Sequence, residues 1–471
     1  MRKTWVALGG LAGAALIAAA LLVPSTPAES GPVVDVETGA LSGSVDDGVE
    51  SWKGIPFAAA PVGDLRWRAP QPAARWEGTR DARDYGNDCM QRPAPSDAAP
   101  PGTEPSEDCL YLNVWRPAGD TARPRPVVVW IYGGGFVNGG SSPPTYTGAE
   151  LARQGVVVAS FNYRLGRFGT FAHPQLTKED ADGGRLGNYG IMDQIAGLEW
   201  VKRNIAAFGG DPNDVTVMGE SAGGMSINML LTSPLAQGLM QRAIIMSGGD
   251  GTQLEPTTIG DAERLGLNFA ETQGISSQDP EALTKLRDVS AERIRGDLSM
   301  ERLFDESPRD FASPFVDGTV IVDQRAAYRA GAFTRVPVMI GATKDDLGGR
   351  DGFMIAGARD VATVLARQGV PVYSYRFSYV PGSVDPEDGA LHATDIPFFL
   401  NTERIRYGDG TTASDEEVGR TASAYVVNFA RTGDPNGPEL PKWPRFDPAA
   451  DEILDFTTGG DAVAGKDPWG P

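Results

Sequence analysis

Six short apolar runs punctuate the chain: Val127 to Tyr132 (VVVWIY), Gly155 to Asn162 (GVVVASFN), Val215 to Gly219 (VTVMG), Ala243 to Met246 (AIIM), Val336 to Ile340 (VPVMI) and Val372 to Phe377 (VYSYRF). Continuous runs of this length suit strands covered on both faces. Between the second and third, Ile191, Ile195, Leu198 and Ile205 recur at helical spacing, which predicts an amphipathic helix ending before Gly209 and Gly210. Strand, helix, strand alternation predicts an α/β fold with a mainly parallel central sheet and helices on both faces. Residues 31–125 read differently. They are rich in Pro and Gly and carry Val33, Val36 and Leu41 in alternating patterns, which predicts a small N-terminal antiparallel region and an extended loop over the sheet. Residues 92–106 form a Pro-rich loop, and a helical region is expected over 258–303. No internal repeat interrupts residues 31–471, so they are expected to form one domain.

The first thirty residues stand apart. Arg2 and Lys3 precede an apolar run from Trp5 to Val23, and Pro24 to Ala28 (PSTPA) offers the small residues Thr26 and Ala28. A charged start, an apolar stretch and a small-residue end form the pattern of a cleaved export signal, assigned to residues 1–28. The alternative is an uncleaved anchor, because the run can just span a bilayer at about 1.5 Å per residue. No second apolar stretch of that length follows, so membrane contact is expected only through this segment and the protein is expected outside the cytoplasm. A net charge of −20 argues against a nucleic-acid partner, which requires a basic stripe. Cys89 and Cys109 are the only cysteines and lack further ligands at zinc spacing. In an oxidising compartment they read as a disulfide, worth about 3 kcal/mol in the chain-entropy view, with two buried thiols as the alternative.

The strongest chemical signal is Gly219-Glu220-Ser221-Ala222-Gly223, directly after one predicted strand and before a helix-like run (MSINMLL). In a chain with 59 glycines the pentapeptide alone is weak. Its position on a strand-to-helix turn is what makes it a nucleophile elbow, with a helix N-terminus facing the reacting oxygen. A serine hydroxyl needs a base, and only His173 and His392 are available. The elbow's chain order is Ser, acid, His, and His392 alone follows Ser221, whereas His173 in a Gly-rich loop reads as structural. Activity is then expected to rise where an ordinary imidazole loses its proton, at about pH 6.5 to 7. The carboxylate that orients this imidazole is sought just beyond a strand end, where Asp345 and Asp346 follow Val336 to Ile340; Asp346 is the choice and Asp345 the alternative. Gly133-Gly134-Gly135 after Tyr132 offers backbone N–H donors for an oxyanion, each worth about 3 to 4 kcal/mol in a transition state. A phosphate cradle is the rival reading, but no Lys-Ser/Thr follows the glycines.

Further ordered motifs extend these signals: GIPFAAAPVGDLRWRAPQP (54–72), SEDCLYLNVW (106–115), WIYGGGF (130–136), FNYRLGRFG (161–169), GNYGIMDQIAGLEWVKRNIAAFGGDP (187–212), VTVMGESAGG (215–224) and GALHATDIPF (389–398). With them the sequence resembles the type-B carboxylesterases, α/β hydrolases that include bacterial para-nitrobenzyl esterases and the cholinesterases. The resemblance implies the α/β-hydrolase fold and a small-molecule ester substrate, with no cofactor and no metal. It implies Ser221 as nucleophile, His392 as base, Asp346 as acid, and the N–H groups of Gly134, Gly135 and Ala222 as oxyanion donors. Glu220 and Ser247 are implied to lie beside the triad, small-residue packing being the alternative for Ser247. A Cys89–Cys109 disulfide and the ion pairs Arg66–Glu107 and Arg164–Asp193 are implied as well.

Two departures shape the expectations. Where the family has Asp-Glu-Gly at the acid, this chain has Asp345-Asp346-Leu347, so the acid is a methylene shorter and its glycine is displaced to Gly348. Only 45 residues separate Asp346 from His392, fewer than in the family, which predicts a shallower, more open site tolerant of bulky esters. Residues 90–108 contain no aromatic side chain, so the cation–π contact that holds choline in cholinesterases has no counterpart there. Phe136, Phe353 and Phe398 are candidate pocket walls, with core packing as the alternative. The rival functions are a catalytically silent adhesion protein on the same fold and a lipase or amidase using the same three residues.

Overall fold

The computed structural model describes residues 31–93, 102–119, 122–250, 258–303 and 311–469. The export segment assigned to 1–28 and residues 94–101 of the Pro-rich loop lie outside the described residues. The apolar runs become the middle of an eleven-stranded sheet. Its strands in chain order are β1 (Ser44–Asp46), β2 (Val49–Pro56), β3 (Tyr111–Pro117), β4 (Arg125–Ile131), β5 (Val157–Phe161), β6 (Gly210–Glu220), β7 (Arg242–Met246), β8 (Val338–Thr343), β9 (Val372–Phe377), β10 (Glu452–Phe456) and β11 (Ala462–Lys466). Across the sheet they run β1-β2-β3-β5-β4-β6-β7-β8-β9-β10-β11. From β5 to β10 every neighbouring pair is parallel, and the pairs outside that block are antiparallel. Every residue of β5, β8 and β9 is buried, which is why those strands do not alternate apolar and polar residues as a half-exposed strand would.

Between β5 and β6 the predicted helix forms as Tyr189–Asn204, extended by a 3₁₀ turn over Ile205–Phe208 and stopped at Gly209 in the left-handed region. Two expectations need correction and a third gains detail. The strand expected over 336–340 starts later and runs further, because Pro337 has no N–H for a ladder while Gly341, Ala342 and Thr343 pair with Tyr375, Arg376 and Phe377. The N-terminal region is only partly antiparallel: Gly39–Ser42 pairs antiparallel with Val33–Val36 but parallel with Thr79–Asp81, and β1 and β2 extend the central sheet instead. The helical region over 258–303 is broken into Ile259–Thr272, Ala282–Arg287, Ala291–Arg295 and Met300–Leu303. No helix among the described residues is long and apolar enough to cross a membrane.

This topology fixes where chemistry can occur. In an open parallel sheet, loops at the carboxyl ends of adjacent strands share one crevice. Here β6, β7, β8 and β9 are neighbours, and they lead into Ser221, Ser247, Asp346 and the His392 loop respectively, while β4 leads into Gly133-Gly134-Gly135.

Candidate active site

At the end of β6 the chain turns so sharply into the helix Ala222–Thr232 that Ser221 adopts φ 54°, ψ −123°. Such a conformation costs a non-glycine residue roughly 1–3 kcal/mol and persists only where its surroundings dictate it. The surroundings do so. Ser221 N–H donates to the Met246 carbonyl at 2.9 Å, and the Ser221 carbonyl accepts from Met225 N–H at 2.8 Å. A Cβ on Gly219 or Gly223 would stand 2.7 or 2.1 Å from the Ile131 carbonyl oxygen, so both flanking positions must be glycine.

His392 reaches this serine from a loop beyond β9. Its Nδ1 lies 2.7 Å from Asp346 Oδ1 and its Nε2 lies 2.9 Å from Ser221 Oγ. A carboxylate can only accept, so Nδ1–H donates to Asp346 and Nε2 presents a lone pair to the Ser221 hydroxyl. The Asp346 carboxylate is held on all sides. Oδ2 accepts from Ser247 Oγ at 2.6 Å and Thr343 Oγ1 at 3.1 Å, and Oδ1 accepts from Leu347 N–H at 2.7 Å. Burial pushes this carboxyl up, but the His392 charge and the hydrogen bonds from His392, Ser247 and Leu347 outweigh it and hold Asp346 below the usual carboxylate range. Asp345, the alternative acid, turns the other way and bonds the backbone at Ala390.

Two further acids crowd the imidazole. Glu220 is fully buried, with Oε1 3.3 Å from His392 Nε2. Asp395 is also fully buried, accepts from Tyr375 Oη at 2.9 Å, and is pushed up to about 7 by burial. Sequence reasoning did not single out Asp395; its place three residues after His392 in HATD is the signal that could have found it.

The glycine loop passes directly over the serine: a Cβ on Gly133 would lie 2.9 Å from Ser221 Cβ and 2.8 Å from Glu220 Oε2. Gly134 and Gly135 have φ 99° and 60°, and a Cβ on Gly135 would meet Leu303 Cδ1 at 2.3 Å. Ala222, as the first residue of its helix, has a backbone N–H without an intrahelical acceptor. The loop's base is pinned by Tyr163 Oη, which donates to the Tyr132 carbonyl at 2.9 Å beneath a stacked pair of rings.

The remaining sequence-derived residues make contacts of their own. Cys89 and Cys109 are joined, with Cα atoms 4.9 Å apart. Arg66 Nε donates to Glu107 Oε1 at 2.9 Å, and buried Arg164 donates to Asp193 through Nε at 2.8 Å and Nη2 at 2.7 Å. His173 caps the helix Pro174–Glu179 by accepting from Gln175 N–H at 3.1 Å, and burial lowers its pKa. Phe398 packs in the core against Phe377, Tyr379 and Tyr407. Phe353 begins the helix Phe353–Arg367 against Gly249, and Phe136 follows the glycine loop.

A strained serine, a lone pair aimed at its hydroxyl and a buried carboxylate behind the imidazole are an arrangement able to activate a hydroxyl. A family model described as the carboxylesterase family matches residues 30–350 and 349–466. The chain belongs to the carboxylesterase family. This carboxylesterase is 36% identical to a fumonisin B1 esterase of Sphingopyxis macrogoltabida, over 89% of this chain and 85% of that protein. It is 34% identical to a para-nitrobenzyl esterase of Bacillus subtilis (strain 168), over 90% of this chain and 94% of that one. Among solved structures it resembles a PNB esterase with TM-score 0.81 at 30% identity, covering 93% of this chain and 97% of that chain. A thermophilic PNB esterase superposes with TM-score 0.80 at the same identity, covering 93% and 98% of the two chains. The carboxylesterase thus has the α/β-hydrolase fold and is a carboxylic ester hydrolase.

Proposed function

We propose that the protein is an exported serine esterase that cleaves small-molecule carboxylic esters through an acyl-enzyme on Ser221. Nε2 of His392 takes the Ser221 proton as Oγ attacks the ester carbonyl, and the tetrahedral oxyanion is received by the N–H groups of Gly134, Gly135 and Ala222. The new imidazolium is stabilised by Asp346 and returns its proton to the leaving alkoxide. Water then attacks the acyl-Ser221 carbonyl with His392 again as base, which releases the acid and restores the serine. Side-chain acid–base chemistry completes this cycle, so no cofactor or metal enters it. The observation that carries the reading is the hydrogen-bonded line from Ser221 through His392 to Asp346, 2.9 Å and 2.7 Å long.

The charged and apolar pattern of residues 1–28 supports export, as does a disulfide between Cys89 and Cys109. The short segment between acid and base supports an open site that admits bulky esters. The test is a panel of para-nitrophenyl esters of rising acyl length, a para-nitrobenzyl ester, fumonisin B1, a choline ester and an amide, run on wild type and Ser221→Ala. Bulky esters are expected to be turned over, choline esters and the amide poorly, and the Ala variant should lose all of it by a factor on the order of 10⁶. Turnover that survives Ser221→Ala would falsify the mechanism.

A further inference from the structure

His392 stands in a stretch without regular support. Between β9 and the helix Ile396–Leu400 the chain forms only one 3₁₀ turn, Pro386–Asp388. The residue after the histidine, Ala393, has φ 69°, a strained conformation for a residue with a Cβ. Leu391, the residue before the histidine, is half exposed. An imidazole on such a loop keeps a 2.9 Å approach to Ser221 only if the backbone beneath it is fixed, because Asp346 grips the ring and not the chain.

Asp345 supplies that fixation. Its backbone N–H donates to the Ala390 carbonyl at 3.0 Å, and its Oδ2 accepts from the Ala390 N–H at 2.9 Å. It also forms an isolated parallel β-bridge with Leu391. One residue therefore satisfies both backbone polar groups of Ala390, two positions before His392. The approach is close enough to dictate its neighbour: Gly389 has φ 76°, and a Cβ there would stand 2.3 Å from Asp345 Oδ2.

We propose that Asp345 is a positioning residue for His392, so that adjacent carboxylates divide one task, Asp346 orienting the imidazole and Asp345 fixing the backbone that carries it. The proposal rests on the catalytic reading of Ser221, His392 and Asp346. It requires an acceptor at Oδ2 rather than a negative charge. Asp345→Asn keeps a carbonyl acceptor for Ala390 N–H, whereas Asp345→Ala removes it. Displacing a catalytic group by about 1 Å can cost on the order of 100-fold in rate.

The experiment measures kcat and KM for para-nitrophenyl acetate per active site titrated with a para-nitrophenyl phosphonate, so that misfolded protein is not counted. Asp345→Ala should lower kcat about 10- to 100-fold at nearly unchanged KM, and Asp345→Asn should recover to within about five-fold of wild type. Gly389→Ala should cost less in the Asp345→Ala background than alone, since the facing carboxylate is gone. A kcat per titrated site of wild-type size in Asp345→Ala overturns the proposal, as does an Asn variant no better than the Ala variant. Ser221→Ala and Asp346→Asn run alongside. If both are inactive while Asp345→Ala is fast, the positioning role alone fails; if Ser221→Ala is itself active, the triad reading fails with it.

Discussion

The Ser221 elbow and the histidine loop deliver two atoms that meet at 2.9 Å, yet they are held by different physics. The elbow is bounded by two buried strands and a helix, and backbone contact sets its shape: Gly219 and Gly223 press on the Ile131 carbonyl with no room for a methyl group. The histidine loop makes its close approach to a side chain, Gly389 against Asp345 Oδ2, rather than to backbone. It is tied by a few directed bonds, from Asp346 to the ring and from Asp345 to Ala390. Steric placement is rigid and tolerates nothing, while placement by hydrogen bonds fails gradually, one partner at a time.

The comparison can be broken from the loop side first. Asp346→Asn keeps the shape but reverses the preferred imidazole tautomer, so kcat should fall by about 10⁴-fold with folding intact, read by ester turnover and circular dichroism. From the elbow side, Gly223→Ala places a methyl 2.1 Å from a backbone oxygen and should cost about 3 kcal/mol or abolish folding, read from the denaturant midpoint. A graded loss of activity with unchanged stability in Gly223→Ala would erase the distinction between the two regions.

Asp395 sharpens the contrast through pH. Its folded carboxyl is pushed up to about 7 by burial, well above the unfolded value near 3.9, so the folded state binds the extra proton between those limits. Stability should therefore fall as pH rises from 5 toward 7, by about 2 to 3 kcal/mol from this group. Asp395→Asn still accepts from Tyr375 and should remove that part of the slope, leaving what the other carboxyls raised by burial contribute, among them Asp88, pushed up to about 6, and Glu403, pushed up to about 7. Identical slopes in wild type and variant would refute this. The smallest effect belongs to the other histidine. His173→Ala removes a helix cap and should cost about 1 kcal/mol at unchanged kcat, read by thermal unfolding and ester turnover.

The two regions also differ in how far the sequence disclosed them. The elbow was readable because steric necessity writes itself as glycine and the flanking strands as apolar runs. His392 was readable by elimination, since two histidines left one downstream of Ser221, and from the motif GALHATDIPF around it. Asp345 and Asp346 were readable as a pair beyond a strand, with Asp346 taken as the acid, but not the bond from Asp345 to Ala390. Successive residues project to opposite sides, and which side faces the imidazole depends on Ser247 and Thr343, which arrive from β7 and β8. Asp395 and its partner Tyr375 stayed hidden for the same reason: a polar residue becomes a buried one only through a neighbouring strand. At the sheet edge, Glu452–Phe456 and Ala462–Lys466 mix charged and apolar residues, so neither carried an apolar run to mark it as a strand.

The central claim is that an ester's acyl group passes through the oxygen of Ser221. A para-nitrophenyl phosphonate tests it directly, because attack by the nucleophile forms a stable P–O bond and expels one para-nitrophenolate. One equivalent of para-nitrophenolate per chain is expected, with complete loss of esterase activity and the added mass on the peptide carrying Ser221, and no adduct on Ser221→Ala. Inactivation with the adduct on any other residue, or an unmodified Ser221 in fully inhibited enzyme, would contradict it.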